Sequence, residues 1–403
     1  MSVRVEEAPR AAVRRAPVWS SLTALALGGF GIGTTEFATM GVLPDVTGDL
    51  GASIPQGGRL ISAYALGVVV GAPLLAVLGA RLPRKMLLLA LMAAITLGNA
   101  LSALAPTFGA LELARFAGGL PHAAYFGIAS IVAASIVPPR RRARAVARVM
   151  LGLTVANIVG VPLATWLGQA LGWRSTYWAV ALIGTVTIAA VSRFVPPVAA
   201  LPGASPRREL GALRRPQVLL ALLVGAIGFG GFFAVYAYIS PTLTEVSGLP
   251  EGAVPAMLAL FGIGMTVGTE IGGRLADRSV VRTIYLGMAA SGTSLLLFSL
   301  TARNPVTAAV TIFLIGSTGS IALPALQTRL IDVAGDAQSL AAAGNHAALN
   351  MANAIGAFLG GAVITAGLGY TAPAVVGALL TAGGLAVMAV SRLAELRAAG
   401  TTR

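Results

Sequence analysis

Twelve apolar runs, each long enough to cross a lipid bilayer, follow one another along this 403-residue chain. A helix needs about 20 apolar residues to span the hydrocarbon core. Hydrophobic residues make up 56% of the chain and charged residues only 10%, so a water-soluble fold could not cover its surface with polar groups. We therefore predict an all-α polytopic membrane protein with twelve transmembrane helices. The runs are 18–43, 58–79, 85–105, 108–136, 146–168, 175–195, 217–240, 253–273, 283–301, 305–326, 340–365 and 372–391.

The net charge of +14 would indicate a nucleic-acid partner if it were spread over a soluble domain. It is instead concentrated in alternate connecting segments, and only four of the 28 basic residues lie elsewhere. Because cytoplasmic loops carry an excess of Lys and Arg, this pattern predicts that both termini are cytoplasmic and that no nucleic acid is bound. The four exceptions are Arg59, Arg115, Arg174 and Arg303.

Enzyme chemistry finds little support in the residue pattern. The chain has no cysteine, which excludes a disulfide framework and a thiolate metal site. We find no spacing typical of a metal site, no Ser/His/Asp arrangement at a shared depth and no glycine loop joined to a lysine. We expect no cofactor and no catalytic residue, and a polytopic membrane enzyme remains the less favoured alternative to a transporter.

An internal repeat relates the two parts of the chain. Offsets of 196 and 197 residues align glycine, proline and asparagine positions, which indicates a duplicated six-helix unit. We predict two pseudo-symmetric halves, 18–195 and 217–392, joined by a cytoplasmic linker at 196–216 and flanked by cytoplasmic tails at 1–17 and 393–403. A substrate cavity is expected between the halves near the bilayer midplane. The matched pairs include Gly33 with Gly230, Pro44 with Pro241, Gly119 with Gly316 and Asn157 with Asn353.

Several stretches carry a family resemblance: TTEFATMGVLP in the first run, ARFAGGLPHAAYFG in the fourth, GLTVANIVGVPLATWLGQALGWR in the fifth, and ALPALQTRL in the tenth. The chain resembles the major facilitator superfamily over essentially its whole length, and in particular the 12-span drug/proton antiporter branch with its sugar-efflux and chloramphenicol-resistance permeases. The resemblance implies alternating access in a bacterial plasma membrane, with small organic molecules exported in exchange for protons. It also implies a chain that functions as a monomer. An importer or a facilitator on the same scaffold remains open.

The loop motif of that family, G-x-x-x-D-R-x-G-R-R, is incomplete between the second and third runs, where Ala80 stands in place of the acidic residue. The copy in the second half keeps Asp277 and Arg278. Since a carboxylate can bond helix N-termini or an arginine when the inner side closes, we expect Asp277 to act in gating. Arg274 is expected to pair with Glu270, one turn earlier.

The fifth run has small residues at four-residue spacing, which favours close contact between helices. In the exporters that the chain resembles, a related pattern lets the two halves approach each other, and a proline bends the helix. The pattern favours an exporter, but small residues at this spacing occur in most membrane helix contacts, so it does not exclude an importer. The residues concerned are Gly152, Ala156, Gly160 and Pro162.

Three ionisable residues lie inside apolar runs, where a charge is costly and is by default a functional candidate. Glu36 and Arg115 lie at matching depths, about 12 and 10 Å from the outer ends of their helices, so a direct or water-mediated pair is possible. His122 follows Arg115 by two turns on the same face. We predict that Glu36 couples transport to protons with Arg115 and His122. The alternatives are a structural or substrate-binding role for Glu36 and, for His122, a hydrogen bond to a carbonyl freed by Pro121.

The second half lacks these charges, because the repeat aligns Glu36 with Phe233. Its candidates for an amphipathic substrate surface are aromatic and amide side chains, with core packing and helix contacts as the alternatives. We therefore predict that the N-terminal half handles protons while the C-terminal half contacts substrate. The candidates are Phe233, Tyr236 and Tyr238 in the seventh run and Asn345, His346 and Asn350 in the eleventh.

Overall fold

The computed structural model describes residues 17–79, 81–199, 215–334 and 338–400, and these residues form helices without any strand. Most of the predicted N-terminal tail, most of the linker, Ala80 and the last three residues lie outside the described residues. The helices of the first half are α1 Val18–Gly41, α2 Leu43–Asp49, α3 Ile54–Leu78, α4 Arg84–Leu104, α5 Phe108–Gly119, α6 His122–Ser135, α7 Arg142–Val155, α8 Val161–Leu171 and α9 Arg174–Phe194. Those of the second half are α10 Pro216–Gly228, α11 Gly230–Ala237, α12 Val254–Ala276, α13 Val280–Thr301, α14 Pro305–Ala334, α15 Gln338–Thr365 and α16 Ala372–Gly400.

The twelve predicted spans are confirmed as helical crossings of one bundle. Eleven of them, within the described residues, are long and apolar enough to cross a membrane by length and composition. The exception is α1, whose 24 residues include many Gly, Ser and Thr as well as Glu36. Most of α1 is buried among other helices, so it meets little lipid and does not need a strongly apolar surface.

Three spans are interrupted. The fourth breaks at Leu120 and Pro121, between α5 and α6, where the proline supplies no backbone donor. The fifth consists of α7 and α8 joined by a π-helical turn, Ala156–Gly160, just before Pro162. The seventh divides into α10 and α11 at Phe229. These irregular turns interrupt the regular helical geometry of the fourth, fifth and seventh spans within the bundle.

The two halves meet along two pairs of spans: α3 packs against α15, and the fifth span packs against α12. We call the side of the bundle that bears the chain termini the terminus side, and the opposite one the far side. On the far side, Ser62 Oγ donates to the Ala354 carbonyl at 3.1 Å, and Gln169 Nε2 donates to the Glu251 carbonyl at 3.1 Å. These contacts hold the halves together on the far side.

Candidate transport site

Glu36 lies in the middle of the bundle and is 6% exposed. Its Oε2 atom is 4.0 Å from His122 Nε2, on the fourth span. Asn350, from α15 in the other half, and Arg115 both lie close enough to influence the carboxylate electrostatically. The one buried carboxylate predicted from sequence therefore lies near groups of both halves of the protein.

Of the two predicted forms of the Glu36–Arg115 pair, direct or through water, the direct ion pair is not formed. Arg115 Nη1 donates to Thr35 Oγ1 at 3.1 Å, and the Arg115 guanidinium carbon lies 4.2 Å from the centre of the Tyr64 ring. Thr35 in turn donates to Asn99 Oδ1 at 2.6 Å. Because side chains tilt toward the N-terminus of their own helix, and α1 and α5 run in opposite directions, the two charged groups point away from each other.

The same tilt brings Glu36 and His122 together. Sequence spacing alone placed His122 about 10 Å deeper than Arg115, yet the His122 ring reaches back to the carboxylate. Its Nδ1 atom is 3.1 Å from the Tyr64 hydroxyl. Both ring nitrogens thus face side chains, whereas the alternative prediction assigned His122 to a backbone carbonyl freed by Pro121.

The only two histidines in the chain meet across the two halves. The His122 and His346 rings are 6.0 Å apart between centroids, and Phe126 stacks on His346 at 5.1 Å. Asn350 Nδ2 donates to the His346 carbonyl at 3.1 Å. His346 and Asn350, predicted as substrate contacts, therefore lie beside the predicted proton site.

Aromatic side chains from both halves form a second part of the site. Phe233 stacks on Phe37 with 6.4 Å between ring centroids, and Tyr236 meets the edge of Phe37 at 5.5 Å. Tyr236 also stacks on Phe261 at 4.3 Å. Since Phe37 directly follows Glu36, the aromatic cluster adjoins the carboxylate. Sequence reasoning missed Phe37 and Tyr64, although Tyr64 lies about 9 Å into its predicted span, close to the depth of about 10 Å predicted for Arg115.

Two of the predicted cavity residues, Tyr238 and Asn345, lie outside the aromatic cluster. Tyr238 donates its hydroxyl hydrogen bond to the Ala357 carbonyl at 2.6 Å and packs on Gly58 and Gly361, so it seals the far side between the halves. Asn345 is buried, and its Oδ1 atom has no hydrogen-bond partner in the described part of the chain. Asn345 thus adds a buried polar group to α15, just over one turn before Asn350 and nearer to the terminus side.

The small residues of the fifth span contact α1 within the same half, whereas the family pattern predicted contact between halves. A side chain at Gly152 would meet the Ala26 carbonyl, and one at Gly160 would meet Thr34. The contact with the other half is instead made by the Asn157 backbone, which leaves no room for a side chain at Gly262 of α12. Gly152 precedes the π-helical turn and Gly160 ends it, and both face α1.

The loop residues on the terminus side are exposed. Arg274 pairs with Glu270 at 2.9 Å, as predicted, one turn apart on α12. Within the described residues, neither Asp277 nor Arg278 shows a side-chain hydrogen bond or ion pair to the first half. In this state, in which the halves are closed on the far side, no contact between the halves corresponds to their predicted gating role.

Comparison with known proteins decides the family. A family model described as Major Facilitator Superfamily matches residues 25–279 and 235–402. The chain belongs to the major facilitator superfamily. It is 46% identical over 371 residues to the inner membrane transport protein YdhP of Escherichia coli, covering 92% of this chain and 94% of that protein. It is 35% identical over 348 residues to the chloramphenicol resistance protein of Streptomyces lividans, covering 84% and 87%.

A solved structure has the same fold. The human organic anion transporter MFSD10 superimposes with a TM-score of 0.68 at 15% identity, covering 93% of this chain and 100% of that one. At this identity the likeness concerns the fold alone. The predicted fold class and family are thus confirmed, and the protein is a superfamily transporter.

Proposed function

We propose that this transporter exports small organic molecules of drug, amphenicol or sugar-like type in exchange for protons, by alternating access. The observation that carries the proposal is the buried Glu36–His122 pair at the contact between the halves. A charge in this position is costly in a membrane protein, so an ionisable residue there is by default a functional candidate. We further propose a bacterial plasma membrane location, cytoplasmic termini and function as a monomer.

The geometry supports a stepwise proton movement. A proton that reaches Glu36 cancels its charge, which weakens both its attraction to Arg115 and its electrostatic interaction with Asn350 of the other half. The two halves then lose an electrostatic interaction between them. His122 can receive the proton or return it. Its Nδ1 atom lies against the Tyr64 hydroxyl, and its Nε2 atom faces the carboxylate.

The proposed substrate surface lies next to this pair. Phe37, Phe233 and Tyr236 supply apolar rings, and Asn350 supplies an amide whose Oδ1 atom has no partner in the described part of the chain. A substrate with an aromatic or apolar body and a polar group fits this combination. Contact of substrate with Asn350 would directly affect the electrostatic environment of Glu36, which links the two ligands.

Export is favoured over import by similarity. Resistance to an antibiotic through a membrane transporter is most simply achieved by removing the compound, and the chloramphenicol resistance protein is 35% identical over most of the chain. The importer and facilitator alternatives share the scaffold and are separated by the direction of net transport.

The test uses inside-out vesicles reconstituted with the purified protein, with a pH gradient acid inside and a panel of labelled amphenicols and sugars. Wild-type protein should accumulate a substrate, and Glu36→Gln should reduce gradient-driven accumulation by about 100-fold, the scale of a lost proton-transfer group. Glu245→Gln, an equal change at an exposed residue on the far side, is the control.

Exchange of labelled for unlabelled substrate without a gradient should survive in Glu36→Gln, because the binding surface is unchanged. Full gradient-driven accumulation in Glu36→Gln would remove Glu36 from the coupling. Gradient-driven release in place of accumulation would select the importer.

A further inference from the structure

A groove of about 930 Å³ lies on the far side, at the edge of the contact between the halves. Its walls come from α3 and α5 of the first half and from α15 of the second. We call it the seam groove. Its rim faces outward, because Leu66, Leu113 and Phe358 are 41%, 73% and 66% exposed. Such large apolar exposure on a membrane-spanning bundle indicates contact with lipid chains.

The polarity of the seam groove changes with depth. Arg59 and Glu112 lie within about 8 Å of the far-side ends of their helices, and Ser53, Gln56 and Thr365 lie at the same end. Deeper in the bilayer, the walls are Leu66, Phe116, Ala357 and Phe358. A polar end at the interface and an apolar channel below it match a lipid, whose head group and acyl chain lie in the same order.

The polar end carries both signs of charge. Arg59 forms a bidentate pair with Glu112, at 3.0 and 2.7 Å, while its side chain remains 57% exposed and that of Glu112 25% exposed. A purely anionic head group would meet the Glu112 carboxylate, and a purely cationic one would meet the Arg59 guanidinium. A zwitterionic head group can place phosphate on Arg59 and a cation on Glu112.

We propose that the seam groove binds a phospholipid whose zwitterionic head group carries a phosphate and a primary ammonium group, such as phosphatidylethanolamine. The ammonium group has N–H donors for Glu112, whereas a choline group has none. One acyl chain lies along Phe116 and Phe358, with the phosphate against Arg59.

The bound lipid would contact both halves at once. Directly beside the groove, Gly58 approaches the Ala357 carbonyl, and Gly361 approaches the Pro55 carbonyl. These close backbone contacts must separate when the far side opens. A lipid that bridges α3 and α15 therefore favours the far-side-closed state described above.

The test is native mass spectrometry of the purified full-length protein in detergent, titrated separately with phosphatidylethanolamine, phosphatidylcholine and phosphatidylglycerol of equal chain composition. Wild type should retain phosphatidylethanolamine most strongly. The double variant Arg59→Gln with Glu112→Gln should lower that affinity about tenfold and abolish the preference among head groups, since charge-assisted hydrogen bonds are lost. Arg174→Gln removes a similarly exposed far-side ion pair, with Asp49, and should retain the preference.

A second variant blocks the groove without touching its charges. Ala362 is an exposed residue of the groove wall, so Ala362→Trp should fill the channel and reduce binding of the lipid while the fold is retained. Equal retention of the three lipids by wild type, or an unchanged phosphatidylethanolamine affinity in both variants, would overturn the proposal. Neither outcome depends on whether the transporter couples to protons, so this test is independent of the proposed function.

Discussion

The centres of the two halves are built from one repeat yet carry opposite chemistry. In the first half, Glu36, Arg115 and His122 are ionisable and buried, and they are linked through Tyr64 and Thr35. In the second half, the position aligned with Glu36 is Phe233, which stacks on Phe37 across the interface. The scaffold is thus duplicated while the charge is confined to one copy.

The terminus side carries a different arrangement of charge. There the second half carries a buried network in which Arg329 bonds Glu395, Gln217 and Ser391 and so joins three of its spans. The repeat places Val132 and Val198 at the positions of Arg329 and Glu395 in the first half. The difference teaches that the location of charge in this bundle follows its local role. In the second half the charged residues join three spans at the terminus side, and in the first half they form a pair at the contact between the halves.

The largest effect that sharpens this contrast is expected from the two histidines. His122→Gln keeps a hydrogen-bonding side chain but removes a titrating group, and it should reduce gradient-driven transport about 100-fold. His346→Gln should keep the coupling and change mainly the apparent substrate affinity. Both are measured in the same vesicles at a fixed gradient, with substrate exchange as the control for binding. Equal loss of coupling in both variants would break the division between halves and place the proton site across the interface.

Much of the fold was predictable, because runs of 20 apolar residues and their basic connections follow from the cost of burying polar groups in lipid. The site was predictable only in part. Glu36, Arg115 and His122 were found from their charge, but their partners were not. Helix depth was computed along the axis, whereas contacts depend on the tilt of each side chain and on the breaks at Pro121 and Ala156–Gly160.

Tyr238 shows a second limit of sequence reasoning. It stands two residues after Tyr236, and composition treats the two as one aromatic cluster. Tyr236 belongs to α11 and faces Phe37, whereas Tyr238 lies just past the end of that helix and reaches Ala357 at the far-side contact. Residue type alone therefore could not separate a substrate contact from a seal between the halves.

A smaller effect is expected from the aromatic cluster. Phe233→Leu removes the ring that stacks on Phe37 and should raise the apparent KM for substrate about fivefold, since an aromatic pair contributes roughly 0.5 to 1.5 kcal/mol. The ratio of substrate to protons moved should stay unchanged. Phe298→Leu alters a buried ring of the same half outside this cluster and should leave the KM at the wild-type value. A changed ratio in Phe233→Leu would show that the second half also takes part in coupling.

The smallest effect concerns the far-side corners of the two halves, which repeat the same contrast. In the first half, Asp49 accepts hydrogen bonds from Arg174 Nη1 at 2.6 Å and Trp173 Nε1 at 3.0 Å. At the equivalent corner of the second half, Thr242 Oγ1 donates to the Tyr238 carbonyl at 2.7 Å and also lies 3.3 Å from the Tyr370 carbonyl, a contact between neutral groups. The Asp49 contact therefore responds to acid, and the Thr242 contact does not.

The sign of this response follows from the pKa of Asp49, which the hydrogen bond from Arg174, and then that from Trp173, lowers below its ordinary value of 3.8. A lowered pKa in the folded state stabilises the protein above pH 3.8, and this stabilisation is lost as the pH falls through the lowered value. Asp49→Asn should therefore have a lower Tm than wild type at about pH 7, and the difference should shrink below pH 3.8. Thr242→Val should shift the Tm by an amount independent of pH. Because Asp49 is exposed, its shift should be small and should decrease further in high salt, whereas a salt-independent shift would mean that the Trp173 hydrogen bond, and not the charge of Arg174, holds this corner.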